Sequence, residues 1–294
     1  MTLPERDTRV TYPDGALSAT TRVLHVAPAG DGRLAVITES TSFHPVDAAW
    51  PDQPADAGAI RSAAGEFPVR DAVVAASDGA SLHLGADIPV RTGTEGWVFL
   101  VAHLVDAGSA LAEGDEVEIE ADAATRHALS AGHTACHLAS LALNRALADR
   151  WSKPARDDAL GSPDFDGAAI ASSRIVPDGS VDRYRLNKSL RRAGFDTASL
   201  QGDLDGLRRA VAAQLDTWVA TGATVRVERD GDADGLTDRR SWVCELPDGT
   251  ARIACGGTHL TSLAELASIE PSFALVDDAG TPVLEMANEA RPRH

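Results

Sequence analysis

The chain has 294 residues, of which 44% are hydrophobic and 24% charged, and its formal net charge is −17 at pH 7. This composition is typical of a folded globular protein of one or two domains and excludes a disordered chain. The negative charge argues against broad binding to DNA, because it repels a polyanion over most of the surface. No apolar run approaches the ~20 residues that cross a bilayer, and the N-terminus lacks the blocks of a signal peptide. We therefore expect a cytoplasmic protein with no membrane partner.

The first part of the chain consists of short apolar runs that Gly, Pro and Asp interrupt. Examples are "TRVLHVAPAGDGRLAVITEST" at residues 21–41 and "GWVFLVAHLVDAG" at residues 96–108. Such runs are typical of antiparallel strands joined by turns. We predict that residues 1–120 form a β-rich, barrel-like N-terminal domain.

The character of the sequence changes near residue 121. An Ala- and Leu-rich stretch predicts a helix from about residue 131 to 151, and a second helix is predicted at 199–222. Strand patterns with tight DG and AG turns follow to the C-terminus. We predict an α+β fold in which residues 121–294 form an antiparallel sheet packed by these long helices.

Two histidines in the first predicted helix, His133 and His137 in "HTACH", lie four positions apart. Residues at this spacing share one face of a helix, so both imidazoles can reach one metal ion. The pattern is not that of a zinc protease, because Thr134 stands where the HExxH motif has its general base. The pair alone is ambiguous, since the same spacing arises by chance.

A second pair of metal-binding residue types is Cys255 and His259 in "CGGTH", separated by Gly256 and Gly257. The glycines either allow close approach to an ion or substrate or form a turn between strands. Together the two motifs supply three imidazoles and one thiolate, a donor set suited to zinc. The sequence therefore predicts a zinc site.

The other two cysteines, Cys136 and Cys244, are expected to be small buried residues. Positive charge concentrates in "VDRYRLNKSLRRAGF", which contains Arg183, Arg185, Lys188, Arg191 and Arg192. Taken alone, this run is most simply a solvated face of a loop or helix.

With these motifs the sequence resembles the alanyl-tRNA editing proteins of the AlaX type. It also resembles the editing domain of alanyl-tRNA synthetase, the second additional domain of threonyl- and alanyl-tRNA synthetases. "HTACHL" and "CGGTHL" match the family's HxxxH and CxxxH pair, and "TSFHPVDAAWPDQPADAG" is similar to its N-terminal motif T-x-F-x-P followed by Q-P-x-D-x-G. The three motifs occur in the family's order and span most of the chain.

The resemblance implies zinc-dependent hydrolysis of the ester of mischarged aminoacyl-tRNA, in trans, with serine or glycine removed from the alanine tRNA. It implies that Thr41 and Gln53 face the aminoacyl group and that Gly256 and Gly257 let the ribose approach. The acceptor end of the tRNA would lie along the segment from Arg183 to Arg192, where phosphate contacts fix its position.

The sequence departs from the family in the loop before Gln53. A short glycine-rich loop is replaced by "VDAAWPD", in which Trp50 and Pro51 are bulkier and stiffer. Trp50 is either an anchor for this loop or a contact to the substrate, and the sequence does not separate the two.

Two other functions remain open at this point. One is a metal-dependent hydrolase of the same fold that acts on another ester or amide. The other is a zinc protein that binds RNA without catalysis, because four protein ligands fill a tetrahedral zinc ion and a catalytic zinc keeps one position open.

Overall fold

The computed structural model describes residues 3–231 and 233–293. They form two compact units. The first contains the described residues up to Arg126, those of segment 229–240, and Gly256–Thr258. The second contains His127–Glu228, Ser241–Cys255 and the described residues from His259 onward.

The first unit is built from strands, as its sequence predicts. They are β1 (Arg9–Val10), β2 (Ser18–Gly30), β3 (Arg33–Thr38), β4 (Ser40–Thr41), β5 (Gly58–Ser62), β6 (Gly65–Val69), β7 (Asp71–Ser77), β8 (Leu82–Leu84), β9 (Val98–Asp106) and β10 (Glu116–Ala121). Eight of them form an antiparallel sheet in the order β6-β5-β10-β2-β3-β9-β7-β8, and β1 pairs with β4 in parallel. Within the described ranges the end strands β6 and β8 do not pair with each other, so the sheet is not a closed barrel. The predicted barrel-like form is therefore not confirmed.

The apolar faces of this sheet form the core of the first unit. Strand β9 is buried over most of its length, including His103, which interrupts its apolar run. Ile60 and Phe43 are also fully buried. Gly58 is required here, because a Cβ at this position would overlap the carbonyl oxygen of Glu120 and the ring of Phe43. This close approach brings β5 against β10.

A buried ion pair holds the segment between β4 and β5. The Arg126 guanidinium and the Asp56 carboxylate are 5% and 2% exposed, and the Arg126 Nε donates to Asp56 Oδ1 over 2.7 Å. Arg126 also donates to the carbonyl oxygen of Ser42, and Asp56 accepts the backbone N–H of His44. Because each charged group has several hydrogen-bond partners, the pair is satisfied inside the unit. It fixes the segment that contains Gln53, one of the predicted substrate residues.

The second unit combines helices with antiparallel sheets. The chain enters it within α1 (Ala123–Ala146), and the other helices are α2 (Phe165–Ala169), α3 (Lys188–Ala193) and α4 (Leu204–Val219). The strands are β11 (Ile170–Val176), β12 (Gly179–Arg185), β13 (Val225–Arg229), β14 (Arg240–Leu246), β15 (Gly249–Ala254), β16 (Leu266–Asp278) and β17 (Thr281–Pro292). They form a four-stranded sheet in the order β11-β12-β17-β16 and a three-stranded sheet in the order β13-β14-β15. The mixture of helices and mostly antiparallel strands confirms the predicted α+β composition.

Helix α1 begins earlier and ends earlier than the sequence predicts. The side chain of Asp122 accepts the backbone N–H of Thr125 over 2.7 Å and so caps the helix several residues before the predicted start. Further along, a Cβ at Gly132 would overlap backbone oxygens of Val176 and Gly179. The helix therefore packs directly on the turn between β11 and β12, and this contact sets the position of the next residue, His133.

Helix α4 buries one face in the core of the second unit. Leu207, Val211, Leu215 and Trp218 recur at helical spacing and are buried. Asp203 caps the helix by accepting the N–H of Gly206 over 3.1 Å. In the described part of the chain, no helix is both long enough and apolar enough to cross a membrane.

Candidate metal centre

The four predicted metal ligands come together in the second unit. His133 and His137 project from successive turns of α1, and Cys255 and His259 come just after the end of β15. One ligand atom from each of the four side chains lies within 4.8 Å of the other three. The two motifs, which are more than a hundred residues apart in the chain, therefore form one cluster.

The distances within the cluster are those of side chains that face a common centre. The Sγ atom of Cys255 lies 3.5 Å from Nε2 of His133 and 3.3 Å from Nε2 of His259. The ring centroids of His133 and His259 are 4.3 Å apart, and that of His137 is 4.9 Å and 5.1 Å from these two. Three imidazoles and a sulfur at this separation can surround one ion.

The environment favours the neutral, metal-binding form of the His137 imidazole. Burial lowers the pKa of His137 to about 4, so this ring is neutral at pH 7 and its lone pair is available. Among the residues that the structure describes, its buried Nε2 atom has no hydrogen-bond partner. A buried polar atom without a partner is costly, and a bound ion would satisfy it. The donor set and this nitrogen both fit a zinc ion.

The cluster is supported by an apolar wall and by one hydroxyl. The ring of Trp242, which is fully buried, lies 5.0 Å from that of His137. On α1, Thr134 is also fully buried, and its Oγ1 accepts the N–H of Leu260 over 3.1 Å and lies 3.4 Å from Nδ1 of His259. The sequence identified Thr134 only as a missing glutamate, so its contact with His259 was not predicted.

The remaining two cysteines have surroundings unlike those of Cys255. Burial raises the pKa of Cys136 well above its ordinary value, and the nearby Asp182 carboxylate raises it further. Burial also raises the pKa of Cys244 to about 12. Both thiols therefore stay protonated at pH 7, whereas metal binding requires a thiolate. This agrees with their predicted packing role.

The sequence of this chain is similar to those of several curated proteins. It is 28% identical over 273 residues to the alanine–tRNA ligase of Ruegeria pomeroyi, and the aligned region covers 91% of this chain and 26% of that protein. It is also 28% identical over 261 residues to the alanine–tRNA ligase of Parafrankia sp., and the aligned region covers 87% of this chain and 24% of that protein. The match to that of Frankia casuarinae is 28% over 263 residues, covering 88% and 25%. These three relatives are all alanine–tRNA ligases.

The predicted resemblance is thereby confirmed at the level of homology to alanyl-tRNA synthetases. The chain spans about a quarter of the length of these relatives. No protein-family model matches the chain.

The predicted substrate residues Thr41 and Gln53 lie in the first unit, where both are buried. Oγ1 of Thr41 is 2.8 Å from Nε2 of His103 and accepts the N–H of Phe43. The Gln53 amide spans Thr258: its Nε2 donates to Oγ1 over 2.9 Å, and its Oε1 accepts the backbone N–H over 3.0 Å. These contacts give both side chains a role in holding the unit together.

The glycines of the second motif differ in exposure. Gly256 is exposed and a Cβ on it would meet no atom within 4 Å, whereas Gly257 is buried. The backbone at Gly256 is therefore open to approach from solvent, and its role toward the ribose stays a prediction.

The unusual loop before Gln53 is ordered by its own hydrogen bonds. The side chain of Asp47 accepts the N–H of Ala49, and that of Asp52 accepts the N–H of Gln53. The ring of Trp50 is 49% exposed and so is not packed as a buried anchor.

The predicted tRNA-binding segment covers the end of β12 and the whole of α3. Arg183 lies 3.7 Å from the Glu285 carboxylate and is partly buried. The other four, Arg185, Lys188, Arg191 and Arg192, are exposed. Lys153 adds a fifth cation, because its Nζ donates to the carbonyl oxygen of Arg192 over 2.9 Å. We call the five exposed cations Lys153, Arg185, Lys188, Arg191 and Arg192 the α3 basic patch.

Proposed function

We propose that this chain hydrolyses the ester bond of mischarged aminoacyl-tRNA in a zinc-dependent reaction, acting in trans on seryl or glycyl esters of the alanine tRNA. The observation that carries the proposal is the cluster of His133, His137, Cys255 and His259 in a chain whose relatives are alanine–tRNA ligases. The relatives attach alanine to tRNA, by their names, so a hydrolytic site in a homologous segment has the same class of ester as its substrate.

The four clustered side chains would hold the zinc ion. Zinc bound there would supply Lewis acidity, which polarises an ester carbonyl and lowers the pKa of a water molecule. Hydrolysis adds the elements of water across the ester bond and releases the amino acid and a tRNA with a free ribose hydroxyl. An aminoacyl ester is already reactive, so the reaction does not need the glutamate base that HExxH proteases use.

The chain's own residues prepare the loop that carries two of the ligands. Gln53 holds both the N–H and the hydroxyl of Thr258, and Thr258 is the residue that precedes His259. Gly256, on the other side of Gly257, leaves its backbone open. A loop held at one residue and open at another can receive the ribose end of a substrate without losing its shape.

The α3 basic patch would bind the phosphates of the acceptor end. The net charge of −17 makes the average surface repulsive, so attraction to tRNA has to be local. Arg185, Lys188, Arg191 and Arg192 supply this local positive charge on exposed side chains. Contacts to phosphates position a nucleic acid but do not read its bases.

The test is a deacylation assay of the purified chain on seryl-, glycyl- and alanyl-tRNA. We expect release of serine or glycine that stops when the metal is removed with a chelator and returns when zinc is added. Turnover of other esters but of none of these tRNAs would assign the site to a different hydrolase. Tight zinc binding with tRNA binding and no turnover on any ester would show a structural zinc protein, which the complete set of four donors would then explain.

A further inference from the structure

The hydroxyl of Thr134 contacts the one nitrogen of His259 that does not face the other ligands. Nε2 of His259 lies 3.3 Å from Sγ of Cys255, and Nδ1 of the same ring lies 3.4 Å from Oγ1 of Thr134. The two nitrogens therefore face different partners. A metal in the cluster would bind at Nε2.

A neutral imidazole that binds a metal through Nε2 carries its proton on Nδ1. That proton needs an acceptor, because a buried N–H without one costs free energy. Hydroxyl oxygens have two lone pairs and can accept two hydrogen bonds. One lone pair of Thr134 accepts the N–H of Leu260, and the other is available to Nδ1–H of His259.

We propose that Thr134 is a positioning residue for the metal ligand His259. Its Oγ1 accepts a hydrogen bond from Nδ1–H, which keeps the Nε2 lone pair directed into the cluster. The same oxygen accepts the N–H of Leu260 and so fixes the peptide that follows the ring. Its own position is rigid, because it is fully buried on α1 directly after the ligand His133. One helix thus supplies two ligands and orients a third. The inference rests on the metal site of the proposed function, but not on the proposed hydrolysis.

The test compares metal binding in three variants of the full chain. Thr134→Val removes the hydroxyl at nearly constant shape, and Thr134→Ser keeps it. Ser140→Ala is a matched control on the same helix: its buried hydroxyl donates to the carbonyl oxygen of His137 and touches no imidazole. Affinity is measured by titration with cobalt(II) followed by its visible absorption, and then by competition with zinc.

We expect Thr134→Val to weaken metal binding about 10- to 100-fold, which is typical for the loss of a group that orients a metal ligand. Thr134→Ser should restore affinity close to that of the unchanged protein, and Ser140→Ala should leave it unaltered. In the His259→Ala background, Thr134→Val should have no further effect on affinity, because the ring that it orients is gone.

A purely structural role of Thr134 predicts a different pattern. Thr134→Val would then lower the melting temperature of the metal-free protein and leave the affinity of the folded fraction unchanged. That result, or the same loss of affinity with and without His259, would overturn the proposal.

A measurement on the unchanged protein covers the case in which Thr134→Val does not fold. Long-range ¹H–¹⁵N spectra of the zinc-loaded chain report which imidazole nitrogen carries the proton. A proton on Nδ1 of His259 with the metal on Nε2 is expected, and a metal on Nδ1 would refute the inference. If zinc binding depends on Thr134 while no aminoacyl ester is hydrolysed, the proposed function fails and this inference stands.

Discussion

The hydrogen bonds between Gln53 and Thr258 lead to a prediction that separates two roles of Gln53. Its amide group makes two hydrogen bonds to Thr258, and the two residues are 1% and 3% exposed. A buried hydrogen bond contributes about 0.5–1.5 kcal/mol net. Gln53→Ala should therefore lower the free energy of unfolding by about 1–3 kcal/mol. Because Thr258 directly precedes His259, the loss should also loosen the ligand loop.

The assay measures urea denaturation, zinc content and kcat/KM for seryl-, glycyl- and alanyl-tRNA in the same protein. Because two hydrogen bonds of the amide hold Thr258, we expect kcat/KM to fall by a similar factor for every ester that is hydrolysed. Gln53→Glu keeps an oxygen acceptor for the N–H of Thr258 and should lose less stability than Gln53→Ala. Gln214→Ala on α4 is the matched control for removing a glutamine elsewhere, and we expect little change.

The opposite result is equally clear. If Gln53→Ala leaves stability and zinc content unchanged but selectively lowers turnover of the seryl ester, the amide acts on the substrate. That outcome would support the role that the family resemblance implies and would refute the argument from Thr258.

Other perturbations test the metal ligands, the basic patch and a buried acid. Cys255→Ser should abolish zinc binding and hydrolysis with little unfolding, whereas Cys244→Ser should keep both activities. Elemental analysis and a deacylation assay measure the two effects. The reverse pattern would mean that the wrong thiol is assigned. Replacing Arg191 and Arg192 by Ala should weaken tRNA binding and reduce the dependence of log affinity on log salt concentration by up to about 2. The exposed pair Arg208 and Arg209 on α4, replaced in the same way, should change neither the affinity nor this slope. Equal slopes in both variants would remove the α3 basic patch from the interface. Burial, together with the Asp182, Asp164 and Asp158 carboxylates, raises the pKa of Asp166 from 3.8 to about 7. Between these two pH values the folded state keeps a proton that the unfolded state releases. Stability therefore falls as the pH rises through this range. Asp166→Asn, which keeps an acceptor for the Tyr184 hydroxyl, should reduce this pH dependence in denaturation curves between about pH 4 and 7. An unchanged slope would contradict the assignment.

The four residues of the cluster could be picked out from the sequence because each pair is marked by a local spacing. Four-residue spacing places His133 and His137 on one face of a helix in any fold, and the glycines between Cys255 and His259 leave room for both side chains. The structure adds that the two pairs meet, within 4.8 Å.

The contacts that orient these residues could not be read from the sequence. Thr134 and His259 are 125 positions apart, and Gln53 and Thr258 are 205 positions apart. Nothing in the composition of either segment records such a pairing. The start of α1 was misplaced for a different reason: the Asp122 cap lies in a stretch whose alternating residues suggested a strand and a turn.

The organisation of the first unit shows the same limit. A single domain boundary in the sequence assigns one continuous stretch of residues to each domain. In the structure, the described residues of 229–240 and Gly256–Thr258 also belong to the first unit. Segment 229–240 is joined to the N-terminal strands by contacts such as the N–H of Leu236 to the carbonyl oxygen of Thr8. Such contacts depend on the path of the chain between distant segments, which periodicity does not encode.

The difference between threonine and glutamate at position 134 bears on the proposed function. In the HExxH motif a carboxylate at this position is the general base, and the hydrolysis of a stable amide needs such a base. Here the side chain at position 134 is a hydroxyl, which does not ionise near pH 7, and its oxygen is directed to a ligand ring and a backbone N–H. In the proposed function this position would contribute to the geometry of the ligands and not to proton transfer. A centre of this kind suits a substrate whose bond is already activated, and the ester that joins an amino acid to a ribose is such a bond.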